Sequence, residues 1–118
     1  MRILITGSRK WTDISLIWSA MRRQSEKRPE DEVIVVHGEA QDADSIAAYW
    51  AERDGWQTEE HLADWQAFGK SAGFIRNSEM VKAGADVCLA FIKNESKGAT
   101  MCADLAEKAG IPTIRFVE

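Results

Sequence analysis

This chain of 118 residues predicts an α/β fold, with a sheet of about five mainly parallel strands layered between helices on both faces. Three observations lead there. Five strand-like runs alternate with four helix-like segments. The second and fourth runs, 33–37 and 87–92, are apolar almost throughout, as strands covered on both faces must be. Three helical segments end alike, on a basic residue closely followed by glycine: Arg53 before Gly55, Lys82 before Gly84 and Lys108 before Gly110. Glycine there takes up positive φ, and the basic side chain meets the negative end of the helix dipole.

The elements follow in order. Ile3, Leu4 and Ile5 begin the first strand, which breaks at Thr6-Gly7-Ser8. A buried strand ending in such a turn is how a Rossmann-like first strand meets its ligand loop. Thr12 or Asp13 caps the first helix, where Ile14, Ile17, Trp18 and Met21 keep helical spacing up to a stop at Pro29. After the second strand, Gly38 leads to a helix from about Asp42, with Ile46, Ala47, Trp50 and Ala51 on one face. The third strand, 57–62, is mixed in character and suits a sheet edge. A long loop then covers 63–71. A helix spans 72–83, the fourth strand follows at 87–92, a helix runs from about Gly98 towards Gly110, and the last strand is 113–117. The two most apolar central runs place the reversal of strand order between the first and fourth strands. Ligands of such sheets bind outside the carboxyl ends at that reversal.

Composition narrows the function. Apolar residues make up 45% of the chain and the net charge is -4, which describes one globular domain over 1–118 and argues against a nucleic-acid-coating protein. No apolar run reaches membrane-spanning length, so a membrane is not an expected partner. Cys88 and Cys102 have neither metal-ligand spacing nor a C-x-x-C pattern, and two free thiols fit a reducing cytoplasm. His37 stands without further ligands at motif spacing, so no metal and no cofactor is expected.

The remaining five glycines, Gly7, Gly38, Gly69, Gly73 and Gly98, fall on the carboxyl edge, where backbone must come close to something. Six of the fifteen Lys and Arg residues fall there too: Arg9, Lys10, Lys70, Arg76, Lys93 and Lys97. Helix amino ends point the same way, so an anion, most simply a phosphate, fits the edge. Arg76 shares a helix stripe with Gly73, Asn77 and Met80, and takes as partner either a carboxylate (Asp64, Glu39 or Asp42) or a phosphate. Glu39, Asp42 and Asp44 follow the second strand; Asp42 suits an N-cap, and Asp44 or Glu39 suits ribose binding or acid–base chemistry. Trp11 and Trp65 lie on edge loops and can stack on a base, whereas Trp18, Trp50 and Trp56 suit the core or a homodimer face.

Several stretches together resemble the YspA-like branch of the SLOG superfamily, Rossmann-like proteins of bacteria and their phages. They are Ile5-Thr6-Gly7-Ser8-Arg9 with Trp11; Val36-His37-Gly38 with Ala40, Ala43 and Asp44; Asp64-Trp65, Gly69-Lys70, Ala72-Gly73 and Ile75-Arg76-Asn77; and Leu89-Ala90-Phe91 with Ser96-Lys97-Gly98-Ala99-Thr100. The resemblance covers nearly the whole chain in order. It implies a nucleotide-type small-molecule ligand at the carboxyl edge, with Gly7, Ser8, Arg9, Trp11, Gly38, Asp64, Trp65, Arg76, Asn77, Lys97, Gly98 and Thr100 as candidate contacts. More distant relatives include lonely-guy phosphoribohydrolases and the single-stranded-DNA-binding DprA.

The departures from the family pattern bear on chemistry. Glu39 and Asp42 stand where the second motif usually has glycine, which argues against phosphate contact by that loop. The phosphoribohydrolases place a catalytic Glu three residues after a Thr; here Ala103 follows Thr100 at that spacing, and the nearest acid, Asp104, is turned by about a quarter of a turn. Binding of a nucleotide-derived phosphorylated ligand is therefore the first expectation. The alternatives are an N-glycosidase for nucleoside monophosphates, with Asp44 or Glu39 catalytic, and a single-stranded-DNA-binding or scaffolding module.

Overall fold

The structure is a computed structural model and describes residues 1–38 and 43–118. Its centre is β1 (Arg2–Gly7), which pairs in parallel with β2 (Ile34–His37) on one side and β4 (Val87–Ile92) on the other. β3 (Gln57–Glu60) lies outside β2, and β5 (Thr113–Val117) lies outside β4. The sheet order β3-β2-β1-β4-β5 is parallel throughout, and it reverses between β1 and β4 as the apolar runs predict. Helices pack on both faces, so the architecture is the Rossmann-like three-layer α/β fold.

The two cores follow from the alternation of side chains along each strand. Ile3, Ile5, Leu89 and Phe91 face α1 (Ile14–Ser25) and α2 (Ala43–Arg53), meeting Ile17, Met21 and Ala47. Leu4, Val36 and Cys88 face α4 (Ala72–Ala83) and α5 (Lys97–Lys108), meeting Met80, Cys102 and Ala106. The Asp13 carboxylate caps α1 by accepting from the Leu16 N–H at 3.1 Å. The three terminal glycines, Gly55, Gly84 and Gly110, all have the expected positive φ. Trp50 and Trp56 pack half-buried against the first core, and Trp18 and Trp50 lie 5.8 Å apart with Arg22 and Arg53 over their rings.

Two expectations change. Residues 63–71 are not an irregular loop. Asp64 accepts from the Ala67 N–H at 3.0 Å and caps a one-turn helix, α3 (Trp65–Phe68), which runs into a 3₁₀ turn at Gly69–Ser71. Trp11 is 4% exposed and packs edge-on against Phe91, with ring centroids 5.4 Å apart. Its indole N–H donates to the Asp13 carbonyl at 2.9 Å, so the ring is core and is not available to stack on a ligand. Among the described residues, no helix is long and apolar enough to cross a membrane.

The edge strand β3 is tied down by charge. Arg2 reaches across β2 and makes a two-point bond to the Glu59 carboxylate, at 2.9 and 2.8 Å. These bonds, then His61 at 2.8 Å, hold the Glu59 carboxyl at about 2. A lowered folded-state value contributes stability that is complete above the unfolded value of 4.5 and is lost as pH falls towards 2. Glu59→Gln is therefore expected to lower the melting temperature at neutral pH, with the deficit shrinking as pH falls through that window. A deficit that stays constant in a melting series across that range would contradict this role for the charge.

Candidate functional site

The carboxyl ends of β1 and β4 open into a cleft of about 560 Å³. Its base is built by the reversal of strand order. The Ser8 N–H continues the sheet by donating to the Phe91 carbonyl at 2.9 Å. The Ser8 hydroxyl oxygen accepts from the Lys93 N–H at 2.8 Å and so fastens the two strand ends together. One wall is the β1–α1 loop with Arg9 and Lys10, and the facing wall is the α3–α4 region with Trp65, Lys70 and Phe74. The amino end of α5 closes the third side through Ser96, Gly98 and Ala99. A Cβ at Gly98 would meet nothing within 4 Å, so the start of this helix is open to the cleft. Its first N–H groups have no partner within the helix, and they carry the positive end of the helix dipole.

Charge on the walls is mostly positive. Arg9, Lys10, Lys70, Arg76 and Lys93 line the cleft. Lys93 is neutralised by Glu118 at 2.9 Å, and that carboxylate also receives the Thr12 hydroxyl. Among the described residues, Arg9, Lys10 and Lys70 make no ion pair. Asp44 brings a carboxylate to the floor, where it is 3% exposed and accepts from the Gly38 N–H at 2.9 Å. Arg76 donates through Nη1 to the Gly38 carbonyl and through Nε to Asn77 Oδ1 at 2.9 Å. Among the described residues, the partners of Arg76 are thus a backbone carbonyl and an amide; Asp64, one of the carboxylates considered from sequence, is not among them.

Gly7, Ser8, Arg9, Asp44, Trp65, Arg76, Asn77 and Gly98 come together on the cleft. Gly38 sits behind Arg76, and Asp64 is an exposed helix cap. Lys97 and Thr100 belong to the first turn of α5 but not to the cleft wall. Glu39, Ala40 and Asp42 lie outside the described residues. Gly7 differs in its reason from the expected close approach to a phosphate. A Cβ there would lie 2.2 Å from the Ala43 Cβ, so the glycine admits the start of α2 against the strand.

The cleft also contains residues that were not predicted. Phe74 is half exposed on the wall, and nothing in an isolated helical phenylalanine separates a wall from a core position. Asn94 lines the cleft in the left-handed region, with φ of 52°. Asparagine in a polar loop after a strand is the one available signal for that geometry. Burial raises the Cys88 thiol to about 12 and the Cys102 thiol to about 11, so both stay protonated at neutral pH and neither offers a thiolate nucleophile.

Comparison with known proteins shows the family and the fold. The model of the YspA, cpYpsA-related SLOG family matches residues 1–68. The gene 61 protein of Mycobacterium phage D29 is 48% identical over 120 residues, covering 98% of this chain and 95% of that protein. The chain belongs to the YspA, cpYpsA-related SLOG family. The fold of this family member is shared with DNA processing protein A (DprA) from Streptococcus pneumoniae, with a TM-score of 0.75 and 15% identity. The match covers 97% of this chain and 49% of that one, so the family member spans about half the length of DprA. At that identity, the likeness is one of fold.

Proposed function

We propose that the cleft binds a nucleotide or a nucleotide-derived phosphorylated ligand. The observation that carries this reading is the convergence of Arg9, Lys10 and Lys70, three cations without ion pairs among the described residues, with the open amino end of α5. An anion placed there meets side-chain charge and unsatisfied backbone N–H groups together. The exposed rings of Trp65 and Phe74 on the facing wall suit the flat face of a base. Membership of the SLOG family and the position at the reversal of strand order agree with this.

A thermal-shift panel of nucleoside phosphates, nucleotide-sugars and their dephosphorylated parents tests it. A phosphorylated ligand at 100 times its dissociation constant should add about 2.7 kcal/mol of stability. Arg76→Ala, which removes one charged donor, should weaken binding about ten- to a hundredfold. The reading fails if no phosphorylated member shifts the melting temperature, or if nucleoside and nucleotide shift it equally.

Asp44 favours a second reading, hydrolysis of the N-glycosidic bond of a nucleoside monophosphate, because it places a buried carboxylate on the cleft floor. It would stabilise the oxocarbenium-like centre or activate water. Chromatography of the free base decides it. The parent should release base and Asp44→Asn should not; equal release by both removes Asp44 from the chemistry.

A further inference from the structure

We propose that Gly38 and Asn77 are positioning residues that lock the Arg76 guanidinium so that Nη2 is the nitrogen it presents to an anion in the cleft. The inference rests on the anion-binding reading above and adds how that site is held.

The lock has three parts. Asn77 Oδ1 takes Nε at 2.9 Å, and the Gly38 carbonyl takes Nη1. Gly38 is itself fixed, since its N–H donates to Asp44 Oδ2 at 2.9 Å. Arg76 then fills the space that a side chain at position 38 would need. A Cβ on Gly38 would lie 2.5 Å from Nη1, 2.7 Å from Cζ and 2.8 Å from Cδ of Arg76. Among the described residues, Nη2 makes no hydrogen bond. It lies on the side of Gly73, a residue of the cleft wall, 3.9 Å from where a Cβ of Gly73 would be.

This geometry has a consequence for recognition. A free guanidinium grips a phosphate with two parallel N–H bonds, and the side-on fork uses Nε. Here Nε is already taken, so the side-on fork is closed to the ligand and Arg76 presents the N–H groups of Nη2 as fixed donors. Immobilising it before the ligand arrives removes the side-chain ordering cost from binding. The conflict at position 38 is with the far end of a flexible side chain. Gly38→Ala is therefore expected to leave the fold intact and to displace Arg76.

Two measurements test this. The first needs no ligand: hydrogen exchange of the Arg76 Nε–H by NMR, with the resonance identified by its absence in Arg76→Ala. It should exchange slowly in the parent and in Asn77→Asp, which keeps an oxygen acceptor. It should exchange like an exposed arginine in Gly38→Ala and Asn77→Ala. The second is calorimetric titration with inorganic pyrophosphate. Gly38→Ala should weaken binding about ten- to a hundredfold in the parent and cause no further loss in Arg76→Ala. Rapid Nε–H exchange in the parent, protection retained in Gly38→Ala, or an equal loss in both backgrounds would overturn the lock. A protected Nε–H in a parent that binds no pyrophosphate would leave the lock standing and overturn the anion role given to Arg76.

Discussion

Replacing Trp11 with alanine is expected to cost about 3–5 kcal/mol of folding stability, the range for removing a large buried aromatic ring. The ring is almost wholly buried and belongs to the core cluster that includes Ile3, Ile5, Ile17 and Leu89. It also packs edge-on against Phe91, an arrangement that adds to the area it buries. Trp11→Phe keeps most of the apolar area and loses the N–H bond to the Asp13 carbonyl, so its cost should be nearer 1 kcal/mol. Urea unfolding of both variants without ligand reads the difference. A loss well under 1 kcal/mol for Trp11→Ala would put the ring back among the ligand contacts that the sequence suggests.

Gly7→Ala should be the second large effect, about 1–3 kcal/mol or more. The new Cβ would lie 2.2 Å from the Ala43 Cβ, and neither group has a flexible end that could swing aside. Relief must come from moving the start of α2 away from β1, which also moves Asp44 on the cleft floor. The double variant Gly7→Ala with Ala43→Gly should therefore recover part of the loss, although the new helical glycine has its own cost of roughly 0.5–1 kcal/mol. Gly98→Ala is the contrasting case, because open space surrounds that position and helix propensity favours alanine. If Gly7→Ala and Gly98→Ala melt alike, the close approach of α2 is not what position 7 requires.

Much of this was legible in the chain. The parallel sheet, its reversal between β1 and β4 and the three helix-ending glycines follow from apolar runs and from Gly55, Gly84 and Gly110. Those signals repeat along the chain or have a strict conformational cause. The misses share a different origin. The side chain of Trp11 sits in a turn, where no periodicity says which way it points. A four-residue helix such as α3 is too short to show a period, although Asp64 is a good cap for one. In the sequence, Gly7 and Gly38 point to a close approach of the backbone at the ligand edge, but what fills the space of a missing Cβ is a tertiary fact: Ala43 in one case and Arg76 in the other. One acceptor for Arg76 is a backbone carbonyl, which no residue type in the sequence can announce.

The most direct test of the central claim is a calorimetric titration of one nucleotide and its dephosphorylated nucleoside, both into the parent and into Arg9→Ala with Lys70→Ala. These two cations have no ion pair among the described residues, so their removal takes away charge without stranding a partner. The parent should bind the nucleotide more tightly than the nucleoside, and the double variant should lose that preference. It should also weaken with salt, as an exposed charged contact does. A nucleotide and nucleoside bound equally by the parent, or a preference untouched in the double variant, would contradict a phosphate site in this cleft.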